Sequence, residues 1–515
     1  MTVSDCDQSE IRPTAPPLAG AWCAVMASCS LLYLATCQRG VSWQDSGMFQ
    51  WRVLRGDYVG RLGLALAHPL YIAAGQVLRH VPVGTLPGRL NFFSGLGMAV
   101  ALANLAAVVS VLAGRRWVGL MTAAVLAVTH TVWWLSTAAE VYTWSVAGLT
   151  AELWLLILLM RRPGWRPLAG LALVNGLGLC VHNFALLPLP VYAAVAIVLT
   201  LRRRLPAWSL GVAAAAWALG AGLYLDLIVQ EAYRAGGVGA AVHSALFGKY
   251  VTQVTNVTHV SKNFAANLVL SGVNLFSVLT PLAVIGWIMM RRRLGAAITA
   301  ALAAVTLIEV LFFVRYPVPD QFTFVLPTLV MLALAAGVGL SSLADASPQW
   351  RRAAIAACVV SIVAQPVLYA LAPSALRAAG VKISRRRRLP FRDEARYWLV
   401  PWKHNEDSAG RFATAALQQA GPDGVILADS TATPPLLIVR RNNPGLQGVA
   451  VQCQGLPLGD YDRDPRAFRA ILGTRRLYVV SPEQEGLSRQ LLADTEPLGR
   501  PADKPVLYQL KWKSP

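Results

Sequence analysis

Asp45 lies in Ser42-Trp-Gln-Asp-Ser-Gly-Met-Phe-Gln50, a polar stretch just beyond the first apolar run long enough to cross a membrane. A carboxylate there can take up a proton at a membrane surface, or it can simply cap a solvated turn. The same polar segment, residues 38–89, holds two more ionisable groups able to meet a substrate: Asp57, and His68 in Ala67-His-Pro-Leu-Tyr71. Glu140 and Tyr142 stand where a later apolar run begins. Glu140 either touches substrate or pairs with an arginine of the first polar segment. Arg315 and Asp320 bound another short polar segment, where the planar guanidinium of Arg315 suits either a phosphate or an interface anchor. Joint chemistry by residues this far apart requires a fold that gathers them at one membrane face.

The composition points to a membrane setting. Hydrophobic residues make up 55% of the chain and charged residues 14%, against roughly 25% charged in ordinary soluble domains. The formal charge is +20, but much of it sits in arginine clusters between apolar runs: Arg115-Arg116, Arg161-Arg162, Arg202 to Arg204, Arg291 to Arg293 and Arg351-Arg352. Such clusters orient a protein in a bilayer, so the charge is not read as a nucleic-acid surface. Apolar runs of about 20 residues fall near 19–37, 90–113, 117–136, 141–160, 167–183, 185–201, 207–229, 265–290, 295–314, 321–343 and 353–371, about eleven spans. The region 167–201 is divided at Pro188 and Pro190, which keeps every cluster on the cytoplasmic side of a cytoplasmic N-terminus. The tail 1–18 lacks the basic region of a secretory signal, so the first run is expected to remain as an anchor. An odd span count puts the C-terminal segment outside, with the basic tract Arg385 to Arg388; a bacterial plasma (inner) membrane is the expected location.

The expected division is a cytoplasmic tail 1–18, a membrane domain 19–371, a linker 372–384 and an extracytoplasmic domain 385–515. In the last, apolar runs of strand length at 424–428, 435–439, 476–480 and 505–510 alternate with helical patterns at 408–420, 465–472 and 485–494, which reads as a small α/β domain. Asp429-Ser-Thr431 follows a strand and reads as a turn cap. The seven cysteines show no CxxC or Cys/His spacing, so neither a disulfide framework nor a zinc site is expected. Glu152, Asp226 and Glu309 lie within spans and require partners or a cavity, whereas His130 and His182 read as packing residues. The chain contains no P-loop, no GxGxxG after a strand and no Asp-x-Asp, which favours a donor other than a nucleotide sugar.

Several stretches resemble a known family. Asp45-Ser-Gly-Met-Phe-Gln50, Ala67-His-Pro-Leu-Tyr71, Arg89-Leu-Asn-Phe-Phe-Ser94 and Trp133-Trp-Leu-Ser-Thr-Ala-Ala-Glu-Val-Tyr142 resemble the N-terminal signature of a family of GT-C membrane glycosyltransferases. That family includes the animal protein O-mannosyltransferase acting on plexin-type IPT domains, and many bacterial proteins. Arg315-Tyr-Pro-Val-Pro-Asp-Gln-Phe322 and Pro327 resemble its later outer loop. The resemblance implies an α-helical polytopic protein that joins a polyprenyl-phosphate sugar to a hydroxyl of a protein or glycan at the outer membrane face, with mannose as one candidate sugar. Asp45 matches the family's acid in the first outer loop and is expected to be catalytic. His68, Asp57, Glu140, Tyr142, Arg315 and Asp320 are expected to contact substrate. Met48 stands where relatives carry Glu, and Ala67-His-Pro-Leu is shorter than their His-Pro-Pro-Gly-Tyr-Pro-Leu.

The residue chemistry is compatible with that role. A phosphate leaves as a stable anion, so one carboxylate acting as base suffices for attack with inversion. Arg315, His68 and Lys262 are the cations expected near the released phosphate. Beyond the lipid-linked donor no cofactor is implied, the use of a divalent metal is left open, and the expected partners are donor, acceptor and membrane lipid, with no nucleic acid. Two other readings stay open: a transporter or flippase of lipid-linked sugar, and a catalytically inactive GT-C scaffold that binds it. The first lacks an inverted repeat with paired broken helices; the second draws on Met48.

Overall fold

The computed structural model describes residues 18–256, 271–318, 320–381, 389–453, 466, 475–482, 484, 487, 489–497 and 506–513. Each apolar run expected from the sequence contains helix within these residues. Among the described residues, seven helices are long and apolar enough to cross a membrane, or eight when one bent pair counts as a single span. The expected count of about eleven is not reached by length and composition, for local reasons. The run 117–136 splits at Val128 and Thr129 into Arg116–Ala127 and the short His130–Leu135. The run 207–229 bends by 70° between Trp208–Gly220 and Gly222–Arg234. The run 167–183 gives a 17-residue helix, Trp165–Val181, and Leu279–Leu294 ends on Arg291, Arg292 and Arg293.

The central span is Gln321–Ala346, whose helix is Leu326–Ala346 and whose apolar stretch is 94% buried, whereas Leu18–Thr36 at 22% and Pro348–Ala378 at 28% lie at the rim. Small residues let helices meet backbone to backbone, as membrane packing requires. A Cβ at Gly286 would collide with the Ala335 carbonyl, and one at Gly339 with that of Leu282, which fixes Leu279–Leu294 against the central helix. Arg115 and Arg293 both pair with Asp345, at 2.7 and 2.5 Å, so these two arginine clusters share one face.

The C-terminal part contains a five-stranded sheet of order β2-β1-β3-β5-β4, with β1 Gly424–Ala428, β2 Ala450–Cys453, β3 Arg476–Val479, β4 Thr495–Pro497 and β5 Tyr508–Trp512. β1 pairs in parallel with β2 and β3, and β5 runs antiparallel to β3 and β4. The expected strand at 435–439 is instead the helix Thr433–Asn442, started by Pro434 and Pro435 in its first turn. The overlooked strands are β2 and β4.

This α/β part sits on the face that carries the first polar segment. Lys403 N–H donates to the Thr36 carbonyl at 2.7 Å, and Thr137 Oγ1 donates to the Pro401 carbonyl at 2.7 Å. Trp134 and Trp398 stack with ring centroids 5.8 Å apart and 7° between their planes.

Candidate active site

The first polar segment folds into the helix Gln44–Arg55, with Asp45 in its first turn, where the positive end of the helix dipole favours a carboxylate. The side chain of Asp45 is reached by solvent although protein surrounds it, as on the floor of a cleft. The next residue reaches a second carboxylate: Ser46 Oγ donates to Glu140 Oε1 at 2.5 Å. Glu140 is held by Ser94, whose hydroxyl accepts from Glu140 N–H at 2.7 Å and donates to its carbonyl at 2.9 Å. A third acid, Asp320, precedes the 3₁₀ turn Gln321–Val325 and lies within electrostatic reach of Asp45 and Glu140.

These three acids perturb one another. Desolvation raises the Asp45 carboxyl above its usual value. Burial holds Glu140 well above the usual range, with repulsion from Asp45 and Asp320 adding to it and the Ser46 hydrogen bond opposing it. Asp320 is pushed to about 7 by desolvation and then by Asp45. Like-charged carboxylates in one site cannot all ionise readily at neutral pH.

The remainder of the segment is folded around Arg52, whose buried guanidinium donates to the carbonyls of Asp57, Tyr58, Leu66 and Ala67. This brings His68 to the N-terminus of Pro69–Leu78 with φ 51°, in the left-handed region, a strain on the order of 1–3 kcal/mol for a non-glycine residue. His68 stacks on His182 with centroids 5.0 Å apart. His182 in turn meets Tyr142 at 5.3 Å, and Tyr142 is within electrostatic reach of Asp320, Glu140 and Asp45. Phe184 and Phe324 lie 5.8 and 5.5 Å from Tyr142 and extend an aromatic floor beneath the acids.

Of the residues singled out in the sequence, Asp45, Glu140, Tyr142 and Asp320 form one group, with His68 attached to it through His182. Asp57 closes a turn by accepting from Gly60 N–H at 2.8 Å. Arg315 ends the helix Ala296–Arg315 five residues before Asp320, half-buried, and no hydrogen bond or ion pair among the described residues joins its side chain to the acids. Lys262 lies outside the described residues, as do Arg385 to Arg388. Sequence reasoning gave Ser46 and Ser94 no role and read His182 as a packing residue. His182 ends a helix just ahead of Pro188, and that break was the available signal. Asp429 is a cap, its Oδ1 accepting from Thr431 and Ala432 N–H at 3.1 Å.

Residues 64–205 match the profile of the family described as the Protein O-mannosyl-transferase TMEM260 N-terminal domain. That span holds His68, Glu140, Tyr142 and His182, whereas Asp45 and Asp320 flank it. No curated protein matches the chain. Among solved structures, ArnT from Cupriavidus metallidurans bound to undecaprenyl phosphate is similar with a TM-score of 0.55 at 13% identity, covering 96% of this chain and 98% of that one. Arabinofuranosyltransferase AftD from Mycobacteria is similar with a TM-score of 0.52 at 15% identity, covering 98% of this chain and 40% of that one. At such identities the likeness establishes the fold. Fold, family match and apolar helices together give a multi-pass membrane protein with the fold of GT-C glycosyltransferases, matching an O-mannosyl-transferase domain over residues 64–205.

Proposed function

We propose that this protein transfers a sugar, mannose as first candidate, from a polyprenyl-phosphate donor to a hydroxyl of a protein or glycan at the outer membrane face, with Asp45 as general base and inversion at the anomeric carbon. The observation that carries this reading is the position of Asp45: of three mutually repelling acids it is the one open to the cleft and at a helix N-terminus, so it is the one suited to ionise. Its raised carboxyl makes it the stronger base once ionised. Glu140, held protonated, and Asp320 in its protonated form can donate hydrogen bonds to substrate hydroxyls. The phosphate needs no proton to leave. Arg315, without an ion-pair partner among the described residues, is the proposed clamp for it.

The solved ArnT complex contains undecaprenyl phosphate, which supports a polyprenyl carrier here, and the family description supports mannose. The C-terminal α/β part packs on the face bearing Asp45, so we place both outside the cytoplasm, in a bacterial inner membrane. The test is transfer from polyprenyl-phosphate mannose in membranes carrying wild-type or Asp45→Asn protein at equal abundance. Loss of transfer with donor binding retained is expected; full activity in Asp45→Asn excludes Asp45 as the base.

A further inference from the structure

The stacked pair His68 and His182 has a property that neither ring has alone. His68 Nδ1 lies 2.8 Å from the Val181 carbonyl, which can only accept, so Nδ1 carries the proton and Nε2 presents a lone pair. His182 Nδ1 lies 3.1 Å from the Phe184 backbone N–H, which can only donate, so in the neutral ring the proton sits on Nε2. No described residue hydrogen-bonds either Nε2, and neither of these atoms is sealed from solvent. The stack therefore offers one acceptor and one donor on rings whose centroids are 5.0 Å apart. It is joined to the acid group through Tyr142, which covers His182.

A charge on either ring is disfavoured. Burial opposes it on both rings, and on His68 the His182 imidazole and then the Arg52 guanidinium oppose it further. An anionic phosphate would be held best by an imidazolium, which these surroundings suppress. An uncharged hydroxyl pair, in contrast, matches one lone pair and one N–H. The strained backbone of His68, fixed by the four Arg52 hydrogen bonds, holds its ring for that contact.

We propose that His68 and His182 form a subsite for two neighbouring hydroxyls of the donor sugar, His68 Nε2 accepting from one and His182 Nε2–H donating to the other. This assignment rests on the sugar-transfer reading above and corrects the expectation that His68 serves the phosphate. His182 thereby becomes a specificity-determining residue rather than a packing one.

The experiment measures binding of polyprenyl-phosphate mannose, of analogues each lacking one sugar hydroxyl, and of polyprenyl phosphate alone. It uses the full-length protein in the Asp45→Asn background, with and without His182→Ala, and with His182→Gln as a variant that keeps an N–H donor. Loss of one neutral hydrogen bond predicts roughly 2- to 13-fold weaker mannose-donor binding in His182→Ala, partial rescue by His182→Gln, and no further loss against a single one of the deoxy donors. Binding of polyprenyl phosphate alone should be unchanged. Equal losses against every deoxy donor, or weakened binding of polyprenyl phosphate alone, would overturn the subsite. Because binding is read without turnover, failure of Asp45 as the base leaves this result interpretable.

Discussion

Ser46 and Glu140 are joined by a 2.5 Å hydrogen bond that ties the helix carrying Asp45 to the turn before Tyr142–Arg161. The bond crosses 94 residues of sequence, so it fixes the cleft wall independently of either segment's own stability. Ser46→Ala leaves a buried carboxyl short of one donor, expected to cost about 1–3 kcal/mol. Thermal melting of the purified protein in detergent should show the loss, accompanied by reduced transfer. An unchanged melt would mean that the bond is dispensable for the wall.

The proposed base gives the largest effect on rate. Asp45→Asn keeps the shape and removes the proton acceptor, and an essential base is worth about 10² to 10⁴-fold. Met48→Glu is its companion, placed one helical turn from Asp45. Activity preserved or raised in Met48→Glu is expected of a working site; no activity in either wild type or Met48→Glu with authentic donor would point to an inactive scaffold.

The pH dependence follows from Asp320. Its folded-state value, about 7, lies above the unbound carboxyl value of 3.8, so it contributes stability that is fully present below about 4 and lost as pH rises toward 7. Melting temperatures should therefore fall between pH 4.5 and 8, and the fall should be shallower in Asp320→Asn. Activity should move the other way, rising with pH as Asp45 ionises, since its carboxyl is also raised. A pH-independent difference between wild type and Asp320→Asn would remove Asp320 from the set of titrating acids.

Gly47 tests the seat of the Asp45 helix. A Cβ there would strike the Ser42 carbonyl and lie 2.9 Å from Pro434 Cβ, so Gly47→Ala must shift the helix away from Thr433–Asn442. We expect a drop in kcat exceeding the change in KM, because the base moves more than the donor-binding floor. An unaltered kcat would show that the seat tolerates the displacement.

Topology is checked by reporters fused after Pro515 and after Arg292. The first should give extracytoplasmic activity and the second cytoplasmic activity, following the arginine clusters. Cytoplasmic activity after Pro515 would argue for Asp45 on the inner face, because the C-terminal α/β part packs on the side of the bundle that bears Asp45.

Much of the fold was legible, because apolar runs and arginine clusters follow directly from the cost of exposing polar groups to lipid. The breaks were less so. Thr129 interrupts its run with no proline or glycine to announce it, whereas Gly220 and Gly222 flank the 70° bend and could have been read. Pro435-Leu-Leu-Ile-Val439 was mistaken for a strand because a short apolar run has no decisive period; the two prolines after Thr433 were the better guide. Within the site, Asp45 and Glu140 stood out through their setting. His182 did not, since a single histidine in an apolar stretch acquires meaning only when His68 lies against it.

Trp43, immediately before the Asp45 helix, donates its indole N–H to Ser408, 365 residues further along the chain, at 2.8 Å. Gln44 N–H donates to the Thr431 carbonyl, just past the carboxyl end of β1, where open α/β sheets commonly receive ligands. During synthesis the segment bearing Asp45 leaves the ribosome long before the residues that will receive it. It must wait, incompletely anchored, until the sheet emerges and folds. A chain interrupted before β1 would lack the Thr431 carbonyl that receives Gln44, and the Asp45 helix would be without that part of its seat.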